Sequence, residues 1–220
     1  MKILLTGFEP FGGIPENPSQ AIVEALRQAD GAGRTYELVT EILPCEFGRA
    51  GERIVALILE HRPDAVVSVG LAASATAVRL ERLAINLDDA LRPDNAGDLA
   101  TGRPIDPDGP IGYWSTLPID AMLGAVKDRE IPGLITNHAG AYVCNHVFYS
   151  ARHAVERLGL GIPCGFIHVP LMAEQDAEPL PGGIKLPLAT MVEAVSCCLD
   201  VLAEHVASQA AERIAVPVRS

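Results

Sequence analysis

The chain has 220 residues, 49% hydrophobic but only 5% aromatic, so Ala, Val, Leu and Ile must build most of its core. A formal net charge of −11 argues against nucleic acid and anionic membrane as partners, because their phosphates would be repelled. The longest apolar window, Ala65–Val78, is shorter than the ~20 residues a membrane span needs and is interrupted by Ser68, Gly70 and Ser74.

Lys2–Gly7 reads as a first buried strand, and its Lys2-Ile3-Leu4-Leu5 runs straight into Thr6-Gly7-Phe8-Glu9, so no signal-peptide apolar region is expected. The strand ends in the turn Phe8–Gly13. Asn17 followed by Pro18 has the pattern of an N-cap with proline at the first helical position. The helix it opens carries Ile22, Val23 and Leu26 and runs to about Ala29. Tyr36–Leu43 alternates as a second strand, closed by Pro44. Phe47–His61 is amphipathic, with Pro63 after its stop. Ala65–Leu71 is a continuous apolar run, as expected of a central strand buried on both faces. Val78–Leu87 reads as another strand.

Asp88–Ser115 follows, a long stretch rich in Asp, Pro and Gly with little periodicity, and such loops are usually functional or disordered. Leu117–Arg129 returns to helix. Gly133–Thr136 is a short buried strand, and after a turn at Gly140 a helical pattern begins near Cys144, with Val147, Ala151, Ala154, Val155 and Leu158 on its stripe. Gly159 is a natural stop. Cys164–Leu171 is the next strand and Glu174–Lys185 another Pro/Gly loop. A last helix carries Leu188, Met191, Val192, Val195, Leu199, Leu202 and Val206.

Strands alternating with helices, without repeat or linker, predict one α/β domain over residues 1–220. The architecture expected is a three-layer α/β/α sandwich with a mostly parallel, mixed and twisted central sheet. Ligands in such folds sit beyond the C-terminal strand ends. Here those ends are Phe8–Gly13, Leu71–Ala75, Thr136–Cys144 and His168–Leu171, which should converge. Five cysteines without framework spacing fit reduced thiols, hence a cytoplasmic protein.

Cys144 falls where a strand has turned into the first turn of a helix. The helix dipole and free N–H groups there favour a thiolate, and the same N–H groups suit an oxyanion. Cys45, Cys164, Cys197 and Cys198 read as core residues. A thiol nucleophile needs a base. Among the six histidines, His61, His153 and His205 fall on helix faces, and His146 is two residues past Cys144 and cannot face it. His168, at the end of an apolar strand, and His138, in the preceding loop, both remain candidates. The group that orients the imidazole could be any of 28 carboxylates. Glu81 is an unusual charge on its strand, but spacing alone does not choose it. No paired Cys or His spacing supports a metal site. The turn after the first strand lacks a phosphate-loop pattern, and Glu9 would repel a phosphate. A phosphorylase-like transferase on the same architecture is thereby disfavoured. Phe8 and Phe11 fit either the core or an apolar slot for a flat ring.

Gly7-Phe8-Glu9-Pro10-Phe11-Gly12-Gly13, Asn17-Pro18-Ser19, Glu81-Arg82-Leu83-Ala84-Ile85-Asn86, Ala139–His146 and Phe166–Pro170 together resemble the type I pyroglutamyl peptidases (pyrrolidone-carboxylate peptidases). The likeness runs to about Leu202. It implies a phosphorylase/hydrolase-like fold and a cysteine exopeptidase with a triad of Cys144, His168 and Glu81. Its substrates would be peptides with an N-terminal pyroglutamate. The likeness places Phe8 and Phe11 against the lactam, with Asn17, Leu71 and Val143 nearby. It implies no metal or organic cofactor, and a homo-oligomer, often a tetramer in bacteria. Some positions depart from the family pattern. Arg79 stands where Ser or Thr is usual, and Thr136 and His138 are also replacements. The arginine associated with oxyanion binding is displaced by one, so that role falls to Leu91 or Arg92. A weakly active or non-catalytic binder of pyroglutamyl peptides is the alternative these departures leave.

Overall fold

A computed structural model describes residues 1–29 and 33–215, with side chains described as far as residue 211. Its centre is a six-stranded sheet. β1 (Lys2–Phe8) pairs in parallel with β2 (Glu37–Leu43) on one side and with β3 (Ala65–Leu71) on the other. β8 (Cys164–Val169) lies parallel to β3, and β4 (Val78–Glu81) runs antiparallel to β8. β7 (Gly133–Thr136) completes the order β2-β1-β3-β8-β4-β7. β3 is buried at every position, as its unbroken apolar run requires.

Two short accessory sheets complete the strand set. β5 (Leu83–Ile85) pairs with β6 (Gly112–Trp114), and β9 (Leu171–Met172) with β10 (Lys185–Leu186). The segment read as one strand, Val78–Leu87, is therefore two. At Arg82 the chain leaves the main sheet, its N–H bonding Thr136 O, and turns to pair with β6. Cys164–Leu171 is likewise broken after Val169.

Helices cover both faces. α1 (Pro18–Gln28), α3 (Ile119–Lys127) and α5 (Leu188–Ala215) pack on Ile3, Leu5, Val67, Val69, Leu80 and Ile167. α2 (Phe47–His61) and α4 (Val143–Arg157) pack on Leu4, Phe8, Val66 and Phe166. Strand alternation sorts the two sets. In β4, Val78 and Leu80 enter the first core, so Arg79 and Glu81 emerge on the α4 face. Asn17 caps α1, its Oδ1 accepting the Ser19 N–H at 3.0 Å, with Pro18 at the first helical position.

The loop Asp88–Ser115 is held by polar side chains. Asp94, 7% exposed, accepts the Phe47 N–H at the start of α2 and the N–H groups of Ala96 and Asp98. Asn86 Oδ1 accepts from Ile105 and Asp106. Among the described residues no helix is long and apolar enough to cross a membrane.

Candidate active site

A cavity of about 440 Å³ opens beyond the strand ends, lined by Phe11 after β1, Leu71–Ser74 after β3, His138–Tyr142 after β7, and His168 at the end of β8. The four expected strand ends do converge. Cys144, Glu81, Arg79, Leu91 and Arg92 line the same cavity.

Cys144 is the second residue of α4, where first-turn N–H groups have no intrahelical acceptor. Its sulfur lies against the backbone of β3. A methyl group added at Gly70 would meet Cys144 Sγ at 2.8 Å and the Phe166 ring at 2.8 Å. Gly70 is the ladder partner of His168, and paired residues of parallel strands point to the same face. The thiol thus lies over the strand next to β8, on the sheet face to which the His168 side chain points. Burial is the main cause that pushes the Cys144 thiol well up, with Cys45 and Glu81 adding to it. Desolvation here outweighs the helix terminus that sequence position favoured.

His168 is 5% exposed and packs on Phe166, ring centroids 4.8 Å apart. Its Nδ1 lies 2.8 Å from Glu81 Oε1. Glu81 is 1% exposed, and its second oxygen accepts the Thr136 hydroxyl at 2.5 Å. Thr136 is its ladder partner on β7. With both carboxylate oxygens accepting, Nδ1 carries the proton and Nε2 is left as an acceptor.

His138 is occupied differently. Its Nδ1 accepts the Gly140 N–H at 3.1 Å, bracing the turn at φ +81° that leads into α4. The other histidines lie elsewhere. His146 is buried against Asp88, Nδ1 to Oδ2 2.9 Å, and His153 meets Tyr113 and Asp106.

Phe11 and Leu71 line the cavity, but Phe8, Asn17 and Val143 are buried and are not among its lining residues; Asn17 lines a separate pocket with Pro10, Glu16 and Gln20. Phe8, 2% exposed, packs in the core against Phe166, their tilted rings 6.2 Å apart between centroids. Asn17 ties the Phe8–Gly13 turn to α1 by donating to Glu9 O at 3.0 Å. Val143 is fully buried under α4. Arg92 lies across Gly12, where a Cβ would meet its guanidinium at 2.9 Å, and Leu91 is fully exposed at the rim.

Sequence reasoning missed Asn145. It is fully buried, accepts the Ile85 N–H and donates to Ile85 O and Leu87 O, each at 2.9 Å. A polar residue directly after the cysteine, in an otherwise apolar helix stripe, was the available signal. Tyr142 was missed too. It closes the cavity against Phe11, centroids 5.8 Å apart, and its hydroxyl donates to Pro93 O.

Residues 1–205 match the family model described as pyroglutamyl peptidase. Pyrrolidone-carboxylate peptidase 1 of Caldanaerobacter subterraneus is 38% identical over 208 residues, covering 94% of this chain and all of that protein. The pyrrolidone carboxyl peptidase structure from Pyrococcus furiosus superposes with a TM-score of 0.86 at 36% identity, over 94% of this chain and all of the other. Pyroglutamyl peptidase I of Bacillus amyloliquefaciens gives 0.83 at 34% identity, over 93% and 98%.

Proposed function

The chain belongs to the pyroglutamyl peptidase family, and from that premise we propose that Cys144, His168 and Glu81 are the triad with which this hydrolase removes N-terminal pyroglutamate from peptides. The observation that carries the assignment is the Glu81 Oε1–His168 Nδ1 contact of 2.8 Å beside a thiol seated over Gly70.

The half-buried thiol, pushed up by desolvation, is protonated at rest, so attack needs a base. His168 Nε2 takes the Cys144 proton as Sγ bonds to the carbonyl carbon of the pyroglutamyl residue. The oxyanion forms beside the first-turn N–H groups of α4, with Arg92 and the Leu91 segment at the rim. Collapse breaks the C–N bond, and the imidazolium gives its proton to the departing amine. Water, deprotonated by His168, then hydrolyses the thioester and returns the thiol. Glu81, held by Thr136, keeps Nδ1–H pointed away from the sulfur and stabilises the imidazolium. Phe11, Tyr142 and Leu71 offer a flat apolar slot suited to the neutral lactam. Phe8, Asn17 and Val143 act indirectly, Phe8 and Val143 through the core and Asn17 by holding the turn that carries Phe11.

The same reading takes residues 1–220 as one cytoplasmic domain that assembles as a homo-oligomer, a tetramer by family likeness. Light scattering tests the assembly. The function is tested by fluorophore release from a pyroglutamyl anilide under reducing conditions between pH 5 and 9. Cys144→Ala and His168→Ala should abolish release, whereas His138→Ala should keep it within about ten-fold, since His138 holds a loop N–H. Activity surviving in His168→Ala and lost in His138→Ala reverses the base assignment. Binding of substrate without turnover in the unaltered protein favours the non-catalytic alternative.

A further inference from the structure

Sheet order places the site's groups in line. Phe11 follows β1, the Cys144 thiol stands over β3 at Gly70, His168 is on β8, and Arg79 is on β4 as the direct ladder partner of His168. Adjacent strands are about 4.8 Å apart. On the peptidase reading Phe11, after β1, holds the lactam and His168 must reach the leaving nitrogen, so the peptide beyond the scissile bond would extend towards β4, where Arg79 also lines the cavity.

Arg79 is poorly satisfied where it stands. One terminal nitrogen donates to Ser74 O at 2.7 Å. Its Nε is buried and has no hydrogen-bond partner among the described residues. No carboxylate among them lies within ion-pair distance of its guanidinium, although the chain carries 28 acidic residues against 17 basic ones. Glu81, the nearest acid along the strand, has both oxygens engaged by His168 and Thr136. Across the cleft, Asp89 and Arg92 share one loop and oppose each other in sign, and His138 is braced against Gly140. The wall that faces the leaving peptide therefore presents a guanidinium with no counter-ion. A partly buried cation of this kind is costly unless an anion completes it. A pyroglutamyl peptide has no N-terminal ammonium to oppose that charge, so a carboxylate near its scissile bond meets no competing cation of its own.

We propose that Arg79 is a specificity-determining residue for the leaving group: it binds a carboxylate carried by the residue after pyroglutamate. The inference rests on the peptidase reading above. The carboxylate has two sources, the free C-terminus of a pyroglutamyl dipeptide or an acidic side chain at the second position.

The experiment compares kcat/KM for four substrates: pyroglutamyl-alanine and its amide, and the amides of pyroglutamyl-glutamate and pyroglutamyl-glutamine. Each charged substrate is read as a ratio to its neutral counterpart, so general losses of activity cancel within one variant. At least one ratio should be about ten in the unaltered enzyme, carried mainly by KM. Arg79→Gln should bring it to about one, and Arg79→Lys should restore part of it. The alanine pair identifies the C-terminus as the source, and the glutamate pair the side chain. Ratios near one in the unaltered enzyme overturn the proposal without using any variant. So does a ratio that survives Arg79→Gln, and its loss in Arg92→Gln would move the subsite to Arg92. Cleavage of none of the four overturns the peptidase reading itself, and this inference with it.

Discussion

Gly70 and Cys144 pack closely across the boundary between sheet and helix: a single methyl group on Gly70 would lie 2.8 Å from the Cys144 sulfur and equally close to the Phe166 ring. Phe166 is fully buried and Cys144 is half-buried in the first turn of α4. Gly70→Ala should therefore displace the sulfur from His168 while the fold survives. Overpacking of this size costs about 1–3 kcal/mol, whereas a displacement of about 1 Å costs roughly 100-fold in rate. The check is kcat/KM beside a thermal melt. Activity within a few-fold of the parent would show that the thiol has room the structure does not give it.

The carboxylate of Glu81 has a partner on each oxygen, and this fixes the imidazole's tautomer. Glu81→Gln keeps the shape but offers an amide that can donate towards Nδ1, which promotes the wrong tautomer. A loss of roughly 10²–10⁴ in kcat is expected, by analogy with other triads. Thr136→Val removes one hydrogen bond to the same carboxylate and should cost about ten-fold or less. Both losses should fall on kcat rather than KM, because neither group is among the apolar residues proposed to hold the lactam. An equal rise in KM would place Glu81 in substrate binding.

Burial pushes the thiols of Cys45 and Cys164 up to about 12, which makes stability fall in alkali. The unfolded chain loses these protons near the ordinary thiol value of about 8.5 while the folded chain keeps them. Their stabilisation is complete below that value and is lost as pH rises towards 12. Each contributes a slope of about 1.4 kcal/mol per pH unit within the window. Denaturant melts at pH 7 to 11 should show the decline, and Cys164→Ala should flatten it relative to its own value at pH 7. Parallel pH curves for the parent and Cys164→Ala would refute the assignment.

Much of this was legible in one sequence because periodicity reports burial. The unbroken run of β3 and the amphipathic α2 were read with their observed bounds. Cys144 stood out at a strand–turn–helix boundary, whereas Glu81 was only an unusual charge on an apolar strand until the family resemblance singled it out; both line the cavity. The rest depends on which distant group lies opposite. Nothing local marks Arg82 as the residue where the chain changes pairing partner, so two strands looked like one. Nothing local distinguishes Phe11, which faces the cavity, from Phe8, which alternation turns under Phe166. Thr136 beside Glu81 and Asp94 at the start of α2 are long-range pairings, invisible to spacing. The helix-start argument for a thiolate also had no measure of desolvation, which dominates at Cys144.

Asn145 shows how the cover over the site depends on a single polar side chain. Its three hydrogen bonds satisfy the Ile85 N–H and the Ile85 and Leu87 carbonyls, all on the segment joining Glu81 to the Asp88–Ser115 loop. Asn145→Ala removes those partners inside a region where the side chain is fully buried. An orphaned buried polar group costs about 1–3 kcal/mol, and partial entry of water into the space left behind lowers the sum. A net loss of about 3 kcal/mol is expected. For a chain of this size that corresponds to a fall in Tm of roughly 6–12 °C. Activity below the melt should decline too, because the same segment links the Glu81 end of β4 to the loop that bears Leu91 and Arg92. A variant that melts with its parent would mean that the backbone at Ile85 and Leu87 finds other partners, and the loop's order would then have to come from Asn86 and Asp94 alone.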